Sequence, residues 1–461
     1  MKNSECVRHS IRLFLISLLT VTLFAFAGNA PGAEKPQRAV PAVRLRPSIV
    51  APAEEQSKEP AEEQSKAPAT PADPKLLPTH AQTAIIQVTG QDGQALPLHT
   101  FCLTKTGQIL AGVGGQSGEI RVYDADGKPL ATWPVPVEPE AVNVAPDGTV
   151  YVAGNGQLLK LDAQGKLLVQ KEAPHAAAIR TDVAKLREEV VAQAKERVEM
   201  MSKQEGLYKQ QIERLQAELK KLTDKPAETL TDVEKQRLES YKSAITQFEG
   251  AIQSVREFLK ENPAKEMTEE EIQQQVERMV KSKMGMASIS ATEGDVFVAC
   301  RAAVGYGFEV WRTSRDFEGG TRIVGELSGC CGQMDVQSST NGVFVAENAR
   351  ARVCRYDRDG KLICQWGERE REGEVGFGSC CNPMNVAFGP QEQVYTAEAT
   401  LGRIKRFSAT GEFLGLVGSV DIVPGCKNVA IAVSQDGGRV YMLDITRSHI
   451  VVMSVKPAAA T

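Results

Sequence analysis

The residues best equipped for chemistry are cysteines, and they fall in two matching motifs. Cys330-Cys331 leads to Met334 in GCCGQMDV, and Cys380-Cys381 leads to Met384 in SCCNPMNV, both Cys-Cys-x-x-Met. Cys426 (VPGCKNVAI) and His99 (PLHTFC) stand ahead of comparable apolar segments. Thiolate, thioether and imidazole together suit a soft transition metal, copper or iron. Cys331, Met334, Cys381, Met384, Cys426 and His99 are therefore the candidate ligands. Disulfides between neighbouring segments and a redox-active dithiol are the two other chemistries open to these thiols. Adjacent cysteines bridge one another only under strain, and the spacing is not the C-x-x-C of a zinc ribbon. The chain has 10 cysteines; one, Cys6, precedes an N-terminal apolar segment, so 10 − 1 = 9 follow it, an odd number that leaves at least one thiol without an internal partner.

The elements that carry these motifs are short and β-branched. QILAG (108–112), TVYVAG (149–154), DVFVAC (295–300), GVFVAEN (342–348), QVYTAEA (393–399) and RVYMLD (439–444) share one texture. Most lead into a hairpin with a D-x-x-G or A-x-x-G turn, as in RVYDADGKPLATW and CRYDRDGKLICQW. Val343, Val394 and Val440 are 51 and 46 residues apart, and Ile109 and Val150 are 41 apart, a period suited to four-stranded propeller blades. Six such units can be laid out. The last has three strands of its own, and the unassigned segment from Ala84 to Gly90 is expected to complete it and close the ring. In that topology the link from one blade's outer strand to the next blade's inner strand always lies on one face. Both Cys-Cys motifs, Cys426 and His99 occupy such links, which gathers them at one mouth of the channel.

The stretch GEVGFGSCCNPMNVAFGPQEQVYTAEATLGRIKRFSATGEFLGLVG resembles an NHL repeat, with its Gly-rich lead-in, P-x-x-V-A strand, V-Y-x-A-(D/E) strand and R-I-x-R-F strand. The resemblance covers about 250 residues and implies an all-β propeller of six four-stranded blades. It implies little about activity, because that scaffold serves binding modules, lyases and lactonases alike. The lactonase likeness would put a divalent metal on Glu140, Asp335 and Asn385. Glu347, Glu398 and Asp444 stand where NHL repeats carry Asp, and turn hydrogen bonding accounts for them.

Val150 and Val296 are 146 residues apart where one period should stand, so a helical insertion interrupts the ring. Leu238, Tyr241, Ile245, Phe248, Ile252, Val255 and Leu259 keep alternating spacings of three and four, a coiled-coil seam, as do Ile212, Leu215, Leu219 and Leu222. Thr231 with Glu234, and Thr268 with Glu271, mark helix starts as capping boxes. An antiparallel coiled-coil hairpin plus a shorter returning helix is expected, with a break in the first arm near Met200-Met201 or Gly206. It would serve as a docking arm, as an oligomerisation seam, or merely pack on itself.

Lys2, Arg8 and Arg12 precede an apolar run from Leu13 to Ala27, the order of a secretory signal. The expected organisation is a signal peptide at 1–27, a disordered Pro/Ala/Glu-rich linker at 28–80, blades 1–2 at 81–176, the insertion at 177–285, blades 3–6 at 286–456, and a disordered tail at 457–461. Export to the periplasm or outside follows, with membrane anchoring as the alternative if the signal stays uncleaved. The net charge of -4 gives no basic footprint for nucleic acid. Nucleophile elbows, phosphate loops and H-E-x-x-H are absent from the sequence. The chain therefore reads as a binding scaffold for a protein or small-molecule partner, using the face beside the insertion. A metal- or redox-dependent protein, or a lactonase-like hydrolase, is the alternative. One further disulfide, Cys354 to Cys364, is expected across the RVCRYDRDGKLICQW hairpin if its turn keeps those two residues opposite.

Overall fold

A computed structural model describes residues 73–457 except 91, 116–117, 262–266 and 371–374. The expected signal peptide and nearly all of the linker lie outside the described residues, as does the end of the tail. One repeated turn explains much of what is described. Asp124 Oδ1 accepts the backbone N–H groups of Asp126 and Lys128 at 3.0 and 2.9 Å, and Asp162 and Asp357 repeat this at their own hairpins. An Asp so placed mimics a backbone turn and reverses the chain. The glycines that close these turns, Gly127, Gly165 and Gly360, have φ of 87°, 84° and 88°, a region glycine enters without a steric penalty. At Gly165 a Cβ would also overlap the ring of Trp133 in the adjoining sheet.

The strands so connected form six four-stranded antiparallel sheets among the described residues. The first holds β2 to β5 (Leu98–Leu103, Ile109–Val113, Gly118–Tyr123, Pro129–Val135), and the second β6 to β9 (Ala141–Val144, Val150–Gly154, Gln157–Leu161, Leu167–Glu172). The third holds β10 to β13 (Met286–Ala291, Asp295–Arg301, Phe308–Ser314, Thr321–Leu327), and the fourth β14 to β17 (Asp335–Ser339, Gly342–Glu347, Arg352–Tyr356, Leu362–Trp366). The fifth holds β18 to β21 (Asn385–Phe388, Val394–Glu398, Arg403–Phe407, Phe413–Ser419). The sixth joins β22 to β24 (Ile431–Val433, Arg439–Asp444, His449–Val455) with β1 (His80–Gln87). Innermost strands of successive sheets touch in an unbroken cycle, β22 returning to β2. The fold is a six-bladed β-propeller.

Closure comes from the N-terminal strand, as expected, but starting four residues earlier. Ala84 lies opposite Val452 and Gln87 opposite His449. Of the residues expected in the linker, 73–79 are instead tied to blade 5, with Lys75 Nζ on Phe413 O at 3.0 Å and Thr79 N on Leu416 O at 3.3 Å, and His80 already belongs to β1. Ile86, Leu443 and Ile450 of the last blade share a buried cluster with Leu98 and Ile109 of the first. That apolar layer is what joins the two ends of the ring.

The outer hairpins carry a feature that overturns the expected Cys354–Cys364 bridge. Tyr356 faces Leu362, but Arg355 faces Cys364 and Cys354 faces Gln365, so Ile363 is an extra residue in its strand. Equivalent bulges follow the turns of blades 1, 2 and 5. A bulge adds one residue to one strand and reverses which face each later side chain takes. Cys354 is thereby buried while Cys364 points to the other side of the sheet.

The insertion leaves the ring between β9 and β10. It comprises α1 (Pro174–Thr181), α2 (Val183–Thr223), α3 (Asp232–Glu261) and α4 (Glu269–Lys283). Both expected capping boxes form, Thr231 Oγ1 accepting Glu234 N at 3.3 Å and Thr268 Oγ1 accepting Glu271 N at 3.2 Å. The expected break in the first arm is absent: α2 runs 41 residues straight through Gly206, roughly 60 Å. α2 and α3 are antiparallel, with Tyr208 and Phe248 rings 5.6 Å apart and Arg256 Nε 3.0 Å from Glu205. Ile252 and Val255 are buried and the other seam residues half-buried, so the seam, which the sequence left open to internal packing or to a second copy, packs within its own hairpin. At the root, Val190 of α2 packs on Ile272 and Val276 of α4. Lys283, at the end of α4, donates to Ala302 O and Gly305 O at 2.8 and 2.7 Å in the β11–β12 loop. No helix among the described residues is long and apolar enough to cross a membrane.

Candidate functional site

The arm and the cysteine motifs leave the ring through the same kind of link, outer strand to next inner strand. Cys330 and Cys331 sit between β13 and β14, Cys380 and Cys381 between β17 and β18, and Cys426 between β21 and β22. Each link is held by the acidic residue ending the second strand of the blade it enters. Glu347 accepts Ser328 N at 2.9 Å, Glu398 accepts Gly378 N at 2.8 Å, and Asp444 accepts Val423 N at 2.9 Å. These carboxylates do more than the turn bonding expected of them; they set the height of the thiol-bearing loops. Glu398 is completely buried and is met there by Lys405 Nζ at 2.8 Å and Arg403 Nε at 2.7 Å.

Two asparagines finish the cradle. Asn348 accepts Cys330 N at 2.7 Å and donates to Gln333 O at 3.1 Å, and Asn382 accepts Ala399 N at 2.9 Å and donates to Gly378 O at 2.6 Å. The loops also enter left-handed backbone conformations at Cys331 (φ 54°) and Ser379 (φ 64°). Non-glycine residues persist there only where their surroundings over-determine them, as at binding sites.

The result is a cluster of five thiols. Cys381 Sγ lies 2.9 Å from Cys330, 3.8 Å from Cys331, 3.2 Å from Cys380 and 2.7 Å from Cys426. The pairs Cys330–Cys331 and Cys380–Cys426 are 3.5 and 4.0 Å apart. Cys381 is buried, whereas Cys331, Cys380 and Cys426 are exposed and Cys330 is intermediate. Hydrogen bonding from Cys381 holds the Cys330 thiol down at about 6. Burial pushes Cys331 up to about 12, and Cys381 is raised by its bond to Cys330 and by burial.

Of the six ligands expected from the sequence, the structure assembles three: Cys331, Cys381 and Cys426. Cys330 and Cys380 belong with them and were missing from that set. Met334 and Met384 are corrections. Each directly precedes an inner strand and is buried in the apolar layer between blades, Met334 with Phe297 and Val336, Met384 in the cluster that also holds Cys381, Ala397 and Val417. Met384 Sδ is also taken by Asn348 Nδ2 at 3.4 Å. His99 points elsewhere, its Nε2 lying 3.1 Å from Glu138 Oε1.

The channel is the second place to look, a cavity of about 460 Å³ lined by the inner strands. Five of its polar side chains fasten one blade to the next. Asn143 accepts Ala291 N at 3.0 Å, Ser288 accepts Val336 N at 2.7 Å, Asp335 accepts Val386 N at 2.8 Å, and Asn385 accepts Val429 N at 3.1 Å. Asn428 donates to His99 O at 3.1 Å. Each bond links an inner strand to the next blade, so these residues fasten the ring. Glu140 is engaged at the root of the arm, accepting Asn155 N and Met286 N at 3.0 and 2.9 Å. Of the three groups that a lactonase-like metal would need, Asp335 and Asn385 line the channel together and each accepts a backbone N–H of the next blade, whereas Glu140 is engaged at the root of the arm.

Neither a protein-family model nor a curated protein matches this chain. Solved propellers do align with it. The WD40 domain of Neurospora crassa Pan2 covers 84% of this chain and 99% of its own at 9% identity, with a TM-score of 0.41. A Bacteroides thetaiotaomicron protein of unknown function covers 83% and 73% at 10% identity, TM-score 0.44. A gluconolactonase from Xanthomonas campestris covers 84% and 99% at 10% identity, TM-score 0.40. Likeness at this level carries no activity from one chain to the other. The six-bladed ring rests on its own strand pairing.

Proposed function

We propose that this chain is an exported NHL-type propeller that acts as a binding scaffold, its working surface the thiol-bearing face beside the helical arm, where the cysteines take up a soft transition metal. One observation carries the reading: five Sγ atoms converge on one another through Cys381, while Asp335 and Asn385 of the channel bind the backbone of the next blade. Thiol donors favour soft metals over the hard cations that carboxylates and amides prefer. The β11–β12 loop connects the two parts of that face. Lys283 of the arm binds its carbonyls, and the Arg301 guanidinium lies against Gly332 beside Cys331. The apolar leader Leu13–Ala27 supports export.

The test is to recover the full chain from the envelope of a bacterial host, measure bound metal and free thiols, and assay lactone hydrolysis with added divalent cation. Retained soft metal that disappears in Cys331→Ser/Cys381→Ser, without lactone turnover, is the expected result. Lactone turnover lost in Asp335→Asn, with metal content indifferent to the cysteines, would move the site to the channel and make the protein a hydrolase.

A further inference from the structure

Resting on that soft-metal reading, we infer that the five thiols form a dinuclear Cu(I) site in which Cys381 bridges two three-sulfur sets. The groups Cys330–Cys331–Cys381 and Cys380–Cys381–Cys426 each keep their ligand atoms within 4.8 Å of one another, and Cys381 is the member they share. It is also the hub by distance, within 3.8 Å of all four other sulfurs. The shortest of those contacts, 2.7 Å to Cys426, is well beyond the about 2.05 Å of a disulfide.

The chemistry of the donor set selects the metal. Zn(II) in a structural site takes four ligands about 2.3 Å away, which spaces all six donor pairs at about 3.8 Å. Here the groups contain three members, and the nearby thioether of Met384 is buried in the interblade layer and held by Asn348. Cu(I), with a filled d shell and a preference for thiolate, is satisfied by three sulfurs. Two such ions sharing one thiolate use five cysteines, the number present. Copper enters and leaves as Cu(I), so no electron changes hands; each ion displaces thiol protons to solvent as its Cu–S bonds form. Cys331, Cys380 and Cys426 face solvent and offer the route in, with the bridging sulfur beneath them.

The pattern of loss on substitution is diagnostic. Full-length protein, reduced and kept free of oxygen, is titrated with Cu(I) against a chromogenic Cu(I) chelator, following the ultraviolet thiolate-to-copper band and the red emission of shielded polynuclear Cu(I)-thiolate. Wild type is expected to bind two equivalents and to emit. Cys331→Ser and Cys426→Ser each lower the count from two to one and quench the emission, and the double variant lowers it to none. Cys381→Ser removes both. A thermal melt of each metal-free variant checks folding, and the Cys331 and Cys426 variants decide the question if Cys381→Ser does not fold. A single equivalent in wild type, or two equivalents surviving in Cys381→Ser, overturns the bridged pair while leaving soft-metal binding intact. Tighter binding of one Zn(II) than of Cu(I) overturns the choice of metal. No uptake of either ion by protein whose thiols are all free to alkylation overturns this site and the soft-metal reading together.

Discussion

The channel wall and the thiol face are both lined with groups capable of chemistry, yet they differ in where those groups are directed. Along the channel, Asn143, Ser288, Asp335 and Asn385 each accept a backbone N–H from the next blade. On the thiol face, the side chains that lie at repeat positions, Glu347, Glu398 and Asp444, also bind backbone, but the cysteines they support contact one another. A recurring polar residue whose hydrogen bonds go to the backbone of a neighbouring strand or link is therefore framework. Reactive groups that appear only in three consecutive links, and that the framework holds together, are the ones left over for function. Exposure alone would not have separated the two, since Cys381 and Asp335 are both buried.

That division makes claims that can be broken. The largest effect is expected at Glu398, buried with Lys405 at 2.8 Å. Glu398→Gln leaves the ammonium buried without its counter-charge and should cost about 3 to 5 kcal/mol in denaturant unfolding. Pairing it with Lys405→Met should recover most of that loss. A single-variant cost below about 1 kcal/mol would show that the pair is not framework.

Next comes acid sensitivity at the root of the arm. His175 of α1 is buried, its Nε2 has no hydrogen-bond partner, and burial lowers its pKa from the ordinary 6.5 to about 4. The unfolded chain thus takes up this proton before the folded one does. The contribution is complete above pH 6.5 and is lost as pH falls toward 4, by about 3 kcal/mol in all. Unfolding measured across that window should flatten in His175→Gln; an unchanged slope would place the acid sensitivity elsewhere.

Smaller effects belong to the channel. Asn385→Ala removes the acceptor of Val429 N and should cost about 1 to 3 kcal/mol, without altering metal uptake at the thiols. Burial raises the pKa of Asp335, so its ionised form is disfavoured in the fold. Asp335→Asn keeps an acceptor for Val386 N and should raise the melting temperature at neutral pH, the gain shrinking as the solution is acidified and the native carboxyl takes its proton. A variant less stable at neutral pH would mean that the charge, and not only the acceptor, fastens that strand.

The smallest effect is expected at Cys354 and Cys364. Because their side chains leave opposite faces of the sheet, oxidising conditions should not join them, and peptide mapping of unreduced protein should find them in unlinked fragments.

The blade count, the closing strand, the capping boxes and the side of the ring that carries the thiols were all legible before any coordinates. They follow from short-range rules: alternation of apolar residues, Asp and Gly at a turn, Thr three residues ahead of Glu, and the fixed direction of the links in a closed ring. Those rules could also identify Glu347, Glu398 and Asp444 as repeat positions, though not that each would hold a cysteine loop. Asn348 and Asn382 offered no such signal, because the groups they bind become neighbours only after the blades assemble.

What the chain order alone could not determine was how individual side chains turn. A single extra residue after one hairpin reversed the register between Cys354 and Cys364, and the helix that Gly206 could have interrupted runs on without a break. Met334 and Met384 looked like ligands by spacing, but the residue entering an inner strand must face the interblade layer. Cys330 and Cys331 would point apart in an extended chain; the left-handed turn at Cys331 brings their sulfurs to 3.5 Å. Cys381 meets Cys330 and Cys426 only because three separate blades place their links around one mouth. Local sequence determines which elements form and which residues they carry. The contacts between sulfurs from different blades depend on how the whole ring packs, and that is a tertiary property.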